Sequence, residues 1–472
     1  MVKSQRFRHV HEVLGMLEFN QKTKERRYVM KKRFFSLLLA ASLLGGLTGC
    51  AGNQGETTAA QGTDSTQTVT EAAKENQSAE TAKAGAEPCT LTFLSWYPQE
   101  KFQPILDAFE KEYPEVKVEF QYAAPVADYL EKMHVLTSTG EIPDVFYIAA
   151  ENKSEMIKNG YCADITGTEA VSRLVEVNKN TYEENGKVYG FAPTTWVGGY
   201  FYNKDLFQKL GLEAPATWDE FLTVCEALKA DGTRPIIERG EWFWDSFLGP
   251  FMNDYLAGDL NYHQEVIEGT KTFADGWGPY IEKWYQDLIL PGYIDEDLVS
   301  VSSQEFFSEF ATGNAAMLAG HAGHLKEVQK LDPEFEIGFF PMPGTGTDIK
   351  VVYGAVDCAM AISSETKYQE QAELFLNFIA RDDIVQLYQD MNGYVIGMNG
   401  VESDVDPILK DVAGLYSDGK INVYIPQGNW DTYGTGLQQQ LIAGSQQLLL
   451  KEIDCNTFIQ EMQDKLKELK DE

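Results

Sequence analysis

The sequence predicts an α/β protein built from two lobes. The first observation is the order of periodic segments after residue 90, where alternating apolar runs are separated by amphipathic helical runs. The second is length, since residues 90–472 are enough for two lobes by the usual size of a domain. The opening β-α-β-α-β order indicates a largely parallel sheet in the first lobe.

The first lobe supplies that parallel sheet. Thr90–Trp96 alternates apolar and polar residues and predicts a strand. Apolar residues at helical spacing predict one helix over Phe102–Tyr113, which the following proline ends, and another over roughly Val126–Thr139. Val116–Phe120 alternates as a second strand, and the apolar run Val145–Ile148 predicts the third.

A second group of elements follows Thr194. A helix over Trp218–Ala230 is predicted to begin with a capping box, because Thr217 precedes it and Glu220 stands three residues further on. The remaining periodic segments predict a helix at Phe306–Ala311, strands at Ala315–Ala319 and Ile337–Pro341, and helices at Tyr368–Ala380 and Thr457–Leu469.

The N-terminal region resembles an export signal. The basic cluster Lys31–Arg33 precedes the apolar run Phe34–Leu44, which is short for a membrane-spanning helix. The ending Leu47–Cys50 resembles a bacterial lipobox, in which the cysteine is lipidated and becomes the mature N-terminus. We therefore expect residues 30–49 to be a lipoprotein signal peptide and Cys50 to carry fatty acyl chains such as palmitate. An uncleaved anchor helix with a chance cysteine is the alternative.

Two segments flank this signal. Residues 1–29 show no structural period, and because an export signal should begin near the N-terminus, we expect Met30 to be the true start and residues 1–29 a start-site artefact. Residues 50–89 are mostly Ala, Gly, Thr, Gln, Ser and Glu and cannot bury enough apolar surface to offset their ordering entropy. We expect them to form a flexible, lipid-anchored linker to the lobes.

Charge and cysteine content limit the classes of partner. Residues 1–49 hold 10 of the 39 Lys and Arg and 3 of the 72 Asp and Glu, so the rest carries 29 basic and 69 acidic residues, a net charge of −40. Such a surface repels nucleic acid and anionic headgroups.

The five cysteines after Cys50 form no zinc pattern, and most are expected to be buried small hydrophobes, with one disulfide as the alternative.

Six strings in one order resemble a known family. They are Phe109–Val118 (FEKEYPEVKV), Gly140–Val145 (GEIPDV), Tyr202–Phe207 (YNKDLF), Pro215–Phe221 (PATWDEF), Phe310–Met317 (FATGNAAM) and Phe340–Gly344 (FPMPG). Each string alone is weak, but together, behind a lipobox, they resemble the family 1 extracellular solute-binding proteins, the sugar-binding receptors of ABC importers. The resemblance covers nearly all of residues 90–472.

The resemblance implies a two-lobed, type II periplasmic-binding-protein-like fold with hinge strands between the lobes. Residues 90–195 and 352–392 would form lobe 1, and residues 196–351 and 393–472 lobe 2. The chain would cross near Thr194–Tyr202 and Val351–Met360 and return near Tyr394. A carbohydrate, expected to be an oligosaccharide, would bind in the cleft and be delivered to a permease at the outer face of the cell membrane.

Several side chains are candidate ligand contacts. Trp196 lies in the first crossing, where Gly198 and Gly199 would allow close backbone approach and where a large aromatic is hard to explain as core. Glu151 and Asn152 follow the third predicted strand, at the carboxyl end where α/β sheets place ligands, and the alternative is a solvated loop.

Three further tryptophans stand at positions where the family often has an aromatic platform. Trp242 and Trp244 belong to an aromatic tetrad, and one of them is expected to be core because both cannot easily face one side of an element. Trp430 precedes a helical run ending at Gly444, and ligand stacking and core packing are equally compatible with it.

One segment departs from the family. Where members often have Gly-x-Trp, this chain has Gly320–His324 with no Trp, so His321 or His324 takes a polar role or the ligand is smaller there. A metal site is not expected, because the two histidines have no carboxylate or thiol in the same segment. Asp357, near the second crossing, is a candidate acceptor for a sugar hydroxyl, with an ordinary strand-end Asp as the alternative.

The expected protein is a monomeric binder without cofactor or metal. A glycoside hydrolase with paired carboxylates is the strongest rival, but 69 acidic residues supply such pairs by chance. No GxSxG, HExxH or P-loop string occurs. A non-sugar solute with the same transport role is the other alternative, because relatives with this architecture carry other solutes.

Overall fold

Strands and helices alternate in a computed structural model that describes residues 87–124, 126–240 and 249–471. The strands are β1 Cys89–Ser95, β2 Val116–Tyr122, β3 Val145–Ile148, β4 Glu183–Glu184, β5 Lys187–Val188, β6 Thr194–Asn203, β7 Arg234–Ile237, β8 Ala315–His321, β9 Ile337–Phe340, β10 Val351–Val356, β11 Ala359–Ile362, β12 Val395–Ile396 and β13 Asn422–Tyr424. The helices are α1 Gln99–Glu112, α2 Val126–Thr139, α3 Lys153–Lys158, α4 Glu169–Arg173, α5 Glu176–Thr181, α6 Lys204–Leu210, α7 Trp218–Asp231, α8 Tyr262–Glu268, α9 Phe273–Trp284, α10 Ser303–Ala311, α11 Ala322–Gln329, α12 Gln369–Ile379, α13 Asp382–Asn392, α14 Lys410–Ser417, α15 Gly434–Leu449 and α16 Cys455–Asp471.

The first sheet confirms the predicted parallel arrangement. Its strand order is β11-β3-β1-β2, with β1 parallel to both neighbours and β11 antiparallel to β3. Phe93 of β1 contacts Phe102 of α1 and Phe375 of α12 at ring centroid distances of 5.2 and 5.8 Å, so helices from distant parts of the chain cover this sheet.

The second sheet is organised around the long strand β6. β6 pairs with β12 and β10 near its start and with β8 and β9 further along, all antiparallel. β7 is parallel to β8, and β13 is parallel to β10. The predicted capping box of α7 is confirmed, since the Glu220 backbone N–H donates to Thr217 Oγ1 (3.3 Å) and the Thr217 N–H donates to Glu220 Oε2 (3.2 Å).

Two separate hydrophobic cores divide the described chain, and we call the parts around them lobe 1 and lobe 2. The first core includes β1–β3, β11 and α12, and the second includes β7, β8, α7, α9 and α16. The chain passes between them along β6, since Ala192, just before this strand, packs in the first core and Val197, within it, packs in the second. It passes back along β10, where Val352 packs in the second core and Val356 in the first.

The predicted bounds of the lobes differ from these cores at two points. Val352, expected in lobe 1, packs in the second core because β10 also pairs with β13 of that lobe. Ile396 and Met398, expected in lobe 2, pack in the first core, since β12 pairs with the beginning of β6. β12 therefore lies at the boundary, with Val395 in one core and Ile396 in the other.

One predicted helix end is wrong. Gly444 was expected to end the helical run after Trp430, but α15 continues to Leu449. A Cβ atom on Gly444 would lie 2.9 Å from the Phe458 ring, so the glycine allows α15 and α16 to pack closely. In sequence, a helix-ending glycine and a helix-packing glycine look alike.

The cysteines and helices of the described residues add two observations. Cys89, Cys162, Cys225, Cys358 and Cys455 are all free thiols, and all but Cys89 are buried. Across these same residues, no helix combines the length and apolar character needed to cross a membrane.

Candidate functional site

Two loops of lobe 1 carry polar and aromatic side chains at one edge of its sheet. Trp96 and Tyr97 follow β1, and Glu151 and Asn152 follow its parallel neighbour β3. Parallel strands place their carboxyl ends at the same edge, where α/β proteins commonly bind ligands. Trp96 stacks on Tyr147 with ring centroids 5.2 Å apart, which holds the first of these loops against the sheet.

Asp357 organises the point where the lobes join. It follows β10, is only 6% exposed, and accepts hydrogen bonds from the Tyr97 hydroxyl (3.2 Å), the Thr194 hydroxyl (3.2 Å) and the Asn392 amide (3.4 Å). The Tyr182 hydroxyl donates to its backbone carbonyl (2.7 Å). Burial raises the pKa of the Asp357 carboxyl to about 6, and hydrogen bonds with the Cys358 backbone and the Tyr97 and Thr194 hydroxyls oppose that rise. The carboxylate therefore orients Tyr97 and the crossing strands with oxygens already engaged by protein donors.

The opposite side of the junction is aromatic and comes from lobe 2. Trp196 of β6 is half-buried, and its ring lies 5.2 Å from the His321 ring and 5.0 Å from the Tyr353 ring. The Tyr394 hydroxyl lies 3.5 Å from His321 Nδ1, and Tyr394 interacts electrostatically with Tyr97 of lobe 1. A continuous series of ring and hydroxyl contacts thus connects the two lobes.

Two neutral imidazoles stack on each other here, and the His321 ring contacts Trp196. His321 ends β8, accepts a hydrogen bond from the Gly323 N–H (3.2 Å), and stacks on His324 with centroids 3.9 Å apart. Burial, followed by the nearby positive charge of Arg239, lowers the pKa of His321 to about 3. Burial likewise lowers the pKa of His324. Neutral imidazoles can both donate and accept hydrogen bonds, which suits an uncharged polar ligand.

The glycines of the first crossing serve packing. A Cβ atom on Gly198 would lie 2.9 Å from the Tyr353 ring, and one on Gly199 would lie 2.4 Å from the Phe340 carbonyl oxygen. Because β8, β9 and β10 all flank β6 here, space for neighbouring strands and rings explains both residues. This differs from the expectation that they open the backbone to a ligand.

The two candidate residues of the loop after β3, Glu151 and Asn152, lie in different environments. Asn152 is 6% exposed, and its Oδ1 accepts a hydrogen bond from the Ala149 N–H (2.9 Å), so its amide shapes the loop. Glu151 is half-buried, and burial raises the pKa of its carboxyl. Its backbone carbonyl faces Gly434 of lobe 2, where an added Cβ atom would come within 2.8 Å. Glu151 therefore lies where the two lobes touch.

Trp430 lies inside lobe 2. Its side chain is fully buried, with its ring 6.1 Å from His263 and 6.3 Å from Trp277. The indole Nε1 has no hydrogen-bond partner among the described residues. This arrangement corresponds to the core-packing interpretation of Trp430, and in this arrangement of the lobes the ring offers no surface for stacking.

Three predicted residues lie outside the described residues. Trp242 and Trp244 fall within residues 241–248, and Cys50 precedes residue 87. Among the residues that are described, no group of three or more His, Cys, Asp or Glu side chains has the arrangement of a metal site.

Sequence reasoning missed four aromatic residues of the junction, namely Trp96, Tyr97, Tyr353 and Tyr394. A signal existed for the first two, because they follow β1 as Glu151 follows β3, and the carboxyl-end rule applies equally to both strands. Tyr353 and Tyr394 carry no such local signal, since their places follow from the pairing of β10 and β12 with β6.

Comparison with known proteins gives one family. The family model described as "Bacterial extracellular solute-binding protein" matches residues 95–386 of this chain. The "Multiple sugar-binding protein" of Streptococcus mutans is 29% identical over 343 residues, 70% of this chain and 79% of that protein. The "Melibiose/raffinose/stachyose-binding protein MelE" of Bacillus subtilis is 25% identical over 395 residues, 78% of this chain and 88% of that protein.

A solved structure supports the same fold. A family 1 extracellular solute-binding protein from Bifidobacterium longum subsp. infantis, at 23% sequence identity, superposes with a TM-score of 0.68 over 80% of this chain and 99% of that chain. The two lobes, their crossing strands and the match over more than half of the sequence lead to one conclusion. The chain belongs to the bacterial extracellular solute-binding protein family.

Proposed function

We propose that the protein is the sugar-binding receptor of an ABC importer, which holds an oligosaccharide between its lobes and delivers it to a membrane permease. The observation that carries this proposal is the lining of the junction, where the half-buried Trp196 contacts both the half-buried Tyr353 and the neutral His321. A pyranose ring presents an apolar C–H face to such rings and hydroxyls to such polar groups. The names of the similar proteins, which mention multiple sugars, melibiose, raffinose and stachyose, support this ligand class.

The crossing strands provide the hinge by which the lobes would enclose the sugar. The lobes are joined through β6, β10 and β12, and hinge closure about such strands encloses a ligand between them. A sugar stabilises the closed form to the extent that it binds that form more tightly than the open one. In this proposal Trp196 and His321 contact the sugar, Glu151 approaches it from lobe 1, and Asp357 acts through Tyr97.

Trp242 and Trp244 remain proposed ligand contacts on their position in the sequence. They follow Arg239 in the sequence, and the charge of Arg239 reaches His321 and Tyr394 in the junction. Asn152 and Trp430 contribute by shaping the β3 loop and the interior of lobe 2.

The receptor is proposed to be lipidated at Cys50 and held at the outer face of the cell membrane. The lipobox-like ending before Cys50 and the polar segment after it support this arrangement. The strongly negative charge of the remaining chain suits a protein that works beside a membrane without adhering to its anionic headgroups. We propose a monomer without cofactor that binds its sugar and does not cleave it.

A thermal-shift screen of the purified protein tests the proposal. Mono- and oligosaccharides, including melibiose, raffinose and stachyose, are compared with polyols and peptides. A ligand at about 100 times its dissociation constant stabilises the folded state by roughly 2.7 kcal/mol, which is readily seen as a raised midpoint. We expect an oligosaccharide to raise the midpoint and to be recovered intact by chromatography. Recovery of cleaved products would favour the hydrolase, and a response only to non-sugars would reject the carbohydrate assignment.

A further inference from the structure

The two lobes also meet at a pair of opposite charges away from the aromatic junction. Lys158 ends α3 of lobe 1, and Asp431 begins a 3-10 turn, Asp431–Tyr433, of lobe 2. Lys158 Nζ and Asp431 Oδ1 are 2.5 Å apart. Met156 of α3 packs in the first core and Trp430 in the second, so this ion pair joins the lobes.

The backbones of the lobes touch beside this pair. Gly434, at the start of α15, faces the carbonyl oxygen of Glu151, where an added Cβ atom would lie 2.8 Å away. Gly428 faces Ala150, whose Cβ would lie 3.7 Å from a Cβ added there. Gly434 has φ −52°, so its helical conformation accepts alanine and only the proximity of lobe 1 calls for glycine.

Asp431 adopts an unusual conformation to make its contact. Its φ of +52° lies in the left-handed region, which L-residues other than Asn and Asp rarely adopt. Aspartate accepts this conformation more readily than most side chains, so the turn suits the residue present. Here the turn directs the carboxylate of lobe 2 toward the Lys158 ammonium of lobe 1.

We propose that Lys158, Asp431 and Gly434 form a rim latch that stabilises the closed receptor and so sets its sugar affinity without touching the sugar. The inference rests on the proposed function and deepens it. Contacts between lobes form only when the lobes meet, so their free energy favours the closed form alone. A receptor that spends more of its time in the binding-competent form binds more tightly by the same factor.

The surroundings of each contact determine how much its loss should weaken sugar binding. Lys158 and Asp431 line a polar groove of about 830 Å³ between the lobes, so solvent and salt reach the ion pair. Loss of an ion pair of this kind should weaken sugar binding about 1.5- to 5-fold. Overpacking Gly434 against the Glu151 carbonyl should weaken it more, roughly 5- to 100-fold, because the lobes could no longer close to the same distance.

A double-mutant cycle tests the ion pair. Lys158→Gln and Asp431→Asn remove the charges one at a time, and asparagine suits the left-handed conformation. We expect each single variant to raise the dissociation constant for raffinose and stachyose, measured by calorimetry, and the double variant to be no worse than either. Added salt should weaken the wild type toward the variants. Lys209→Gln, which breaks an ion pair with Asp231 inside lobe 2, is the matched control.

Gly434→Ala tests the backbone contact. Alanine favours the helix, so this variant should fold at least as stably as the wild type in a urea titration while binding raffinose more weakly. Gly278→Ala is the matched control, because Gly278 lies within α9 with nothing near its added Cβ atom. Wild-type affinity of Gly434→Ala, or additive losses in the double-mutant cycle, would overturn the latch.

A direct readout separates the latch from the sugar assignment. A zero-length carbodiimide joins an ammonium to a carboxylate only when the two are in contact, and peptide mass spectrometry locates the amide. We expect a Lys158–Asp431 link whose yield rises when raffinose or stachyose binds and which Lys158→Gln abolishes. If neither sugar binds, the proposed ligand class fails, and a link in the sugar-free protein still supports contact at this rim. Absence of the link under every condition would overturn the latch.

Discussion

The buried Asp357 carboxyl should make the free energy of unfolding depend on pH, by an amount that follows from the shift of its pKa. The pKa of its carboxyl is raised by burial from 3.8 to about 6. The folded chain therefore holds this proton over a pH range in which the unfolded chain has released it. The contribution of this group to stability is full below about pH 4 and is lost as the pH rises through about 6. A shift of about two units corresponds to roughly 3 kcal/mol by pH 7.

Asp357→Asn removes this titration while keeping the shape of the side chain. Asparagine retains one acceptor oxygen for Tyr97 and Thr194, so the substitution also changes stability by an amount that does not depend on pH. We expect the free energy of unfolding of the variant, relative to that of the wild type, to rise by roughly 3 kcal/mol between pH 4 and pH 7. Urea titrations at half-unit pH intervals measure this difference.

Comparing Asp357→Asn with the wild type isolates the titration of the Asp357 carboxyl. Glu151, His321 and His324 also have shifted pKa values, but they are present in both proteins and cancel in the difference. Asp348→Asn, the same chemical change at an exposed residue, is the matched control. A constant difference between Asp357→Asn and the wild type across the whole range would show that the pKa of the Asp357 carboxyl is not raised in the folded protein, and it would refute the reasoning that burial outweighs hydrogen bonding at this carboxyl.

The remaining predictions concern the tryptophans and the anchor. Trp196→Ala should weaken oligosaccharide binding about 10- to 100-fold in calorimetry without a matching loss of stability, whereas Trp196→Phe should keep much of the affinity; equal affinity in all three proteins would remove Trp196 from the site. Trp430→Ala should instead cost lobe 2 roughly 3–5 kcal/mol in a urea titration, because the ring is fully buried, and an unchanged stability would contradict that placement. Cys50→Ala should release the protein from the membrane fraction into the medium, and a variant that stayed in the membrane would rule out lipid anchoring at Cys50.

Much of lobe 1 could be predicted from local pattern. Alternation and helical spacing marked β1, α1, β2, α2 and β3, and the rule that parallel strands need helical crossovers implied their sheet. The capping box at Thr217 and Glu220 was readable because all of its atoms lie within four residues. Gly444 shows the limit of such signals, since only the ring of Phe458, from another helix, explains the glycine.

The site was less accessible to sequence reasoning because it is assembled from distant segments. Trp196 could be singled out by its position in a crossing, and His321 by its departure from the family pattern. The chain alone did not reveal that Tyr353 and Tyr394 stand beside them, because strand pairing across more than 150 residues brings them there. The side chains of Trp430 and Asp357 are chemically suited to sugar contact. In the structure, however, Trp430 is buried inside lobe 2 and the Asp357 carboxyl is hydrogen-bonded to Tyr97.

By itself, the sequence determined the kind of protein this is. Periodicity, capping residues, turn residues and charge act over a few residues each, and together with length they predicted an α/β chain of two lobes. The tertiary structure decided which side chains share the junction and which lobe each crossing residue joins. It also decided where the lobes meet, at Lys158, Asp431 and Gly434. These depend on strand pairing and burial between segments far apart in the chain, and no local pattern encodes such distances.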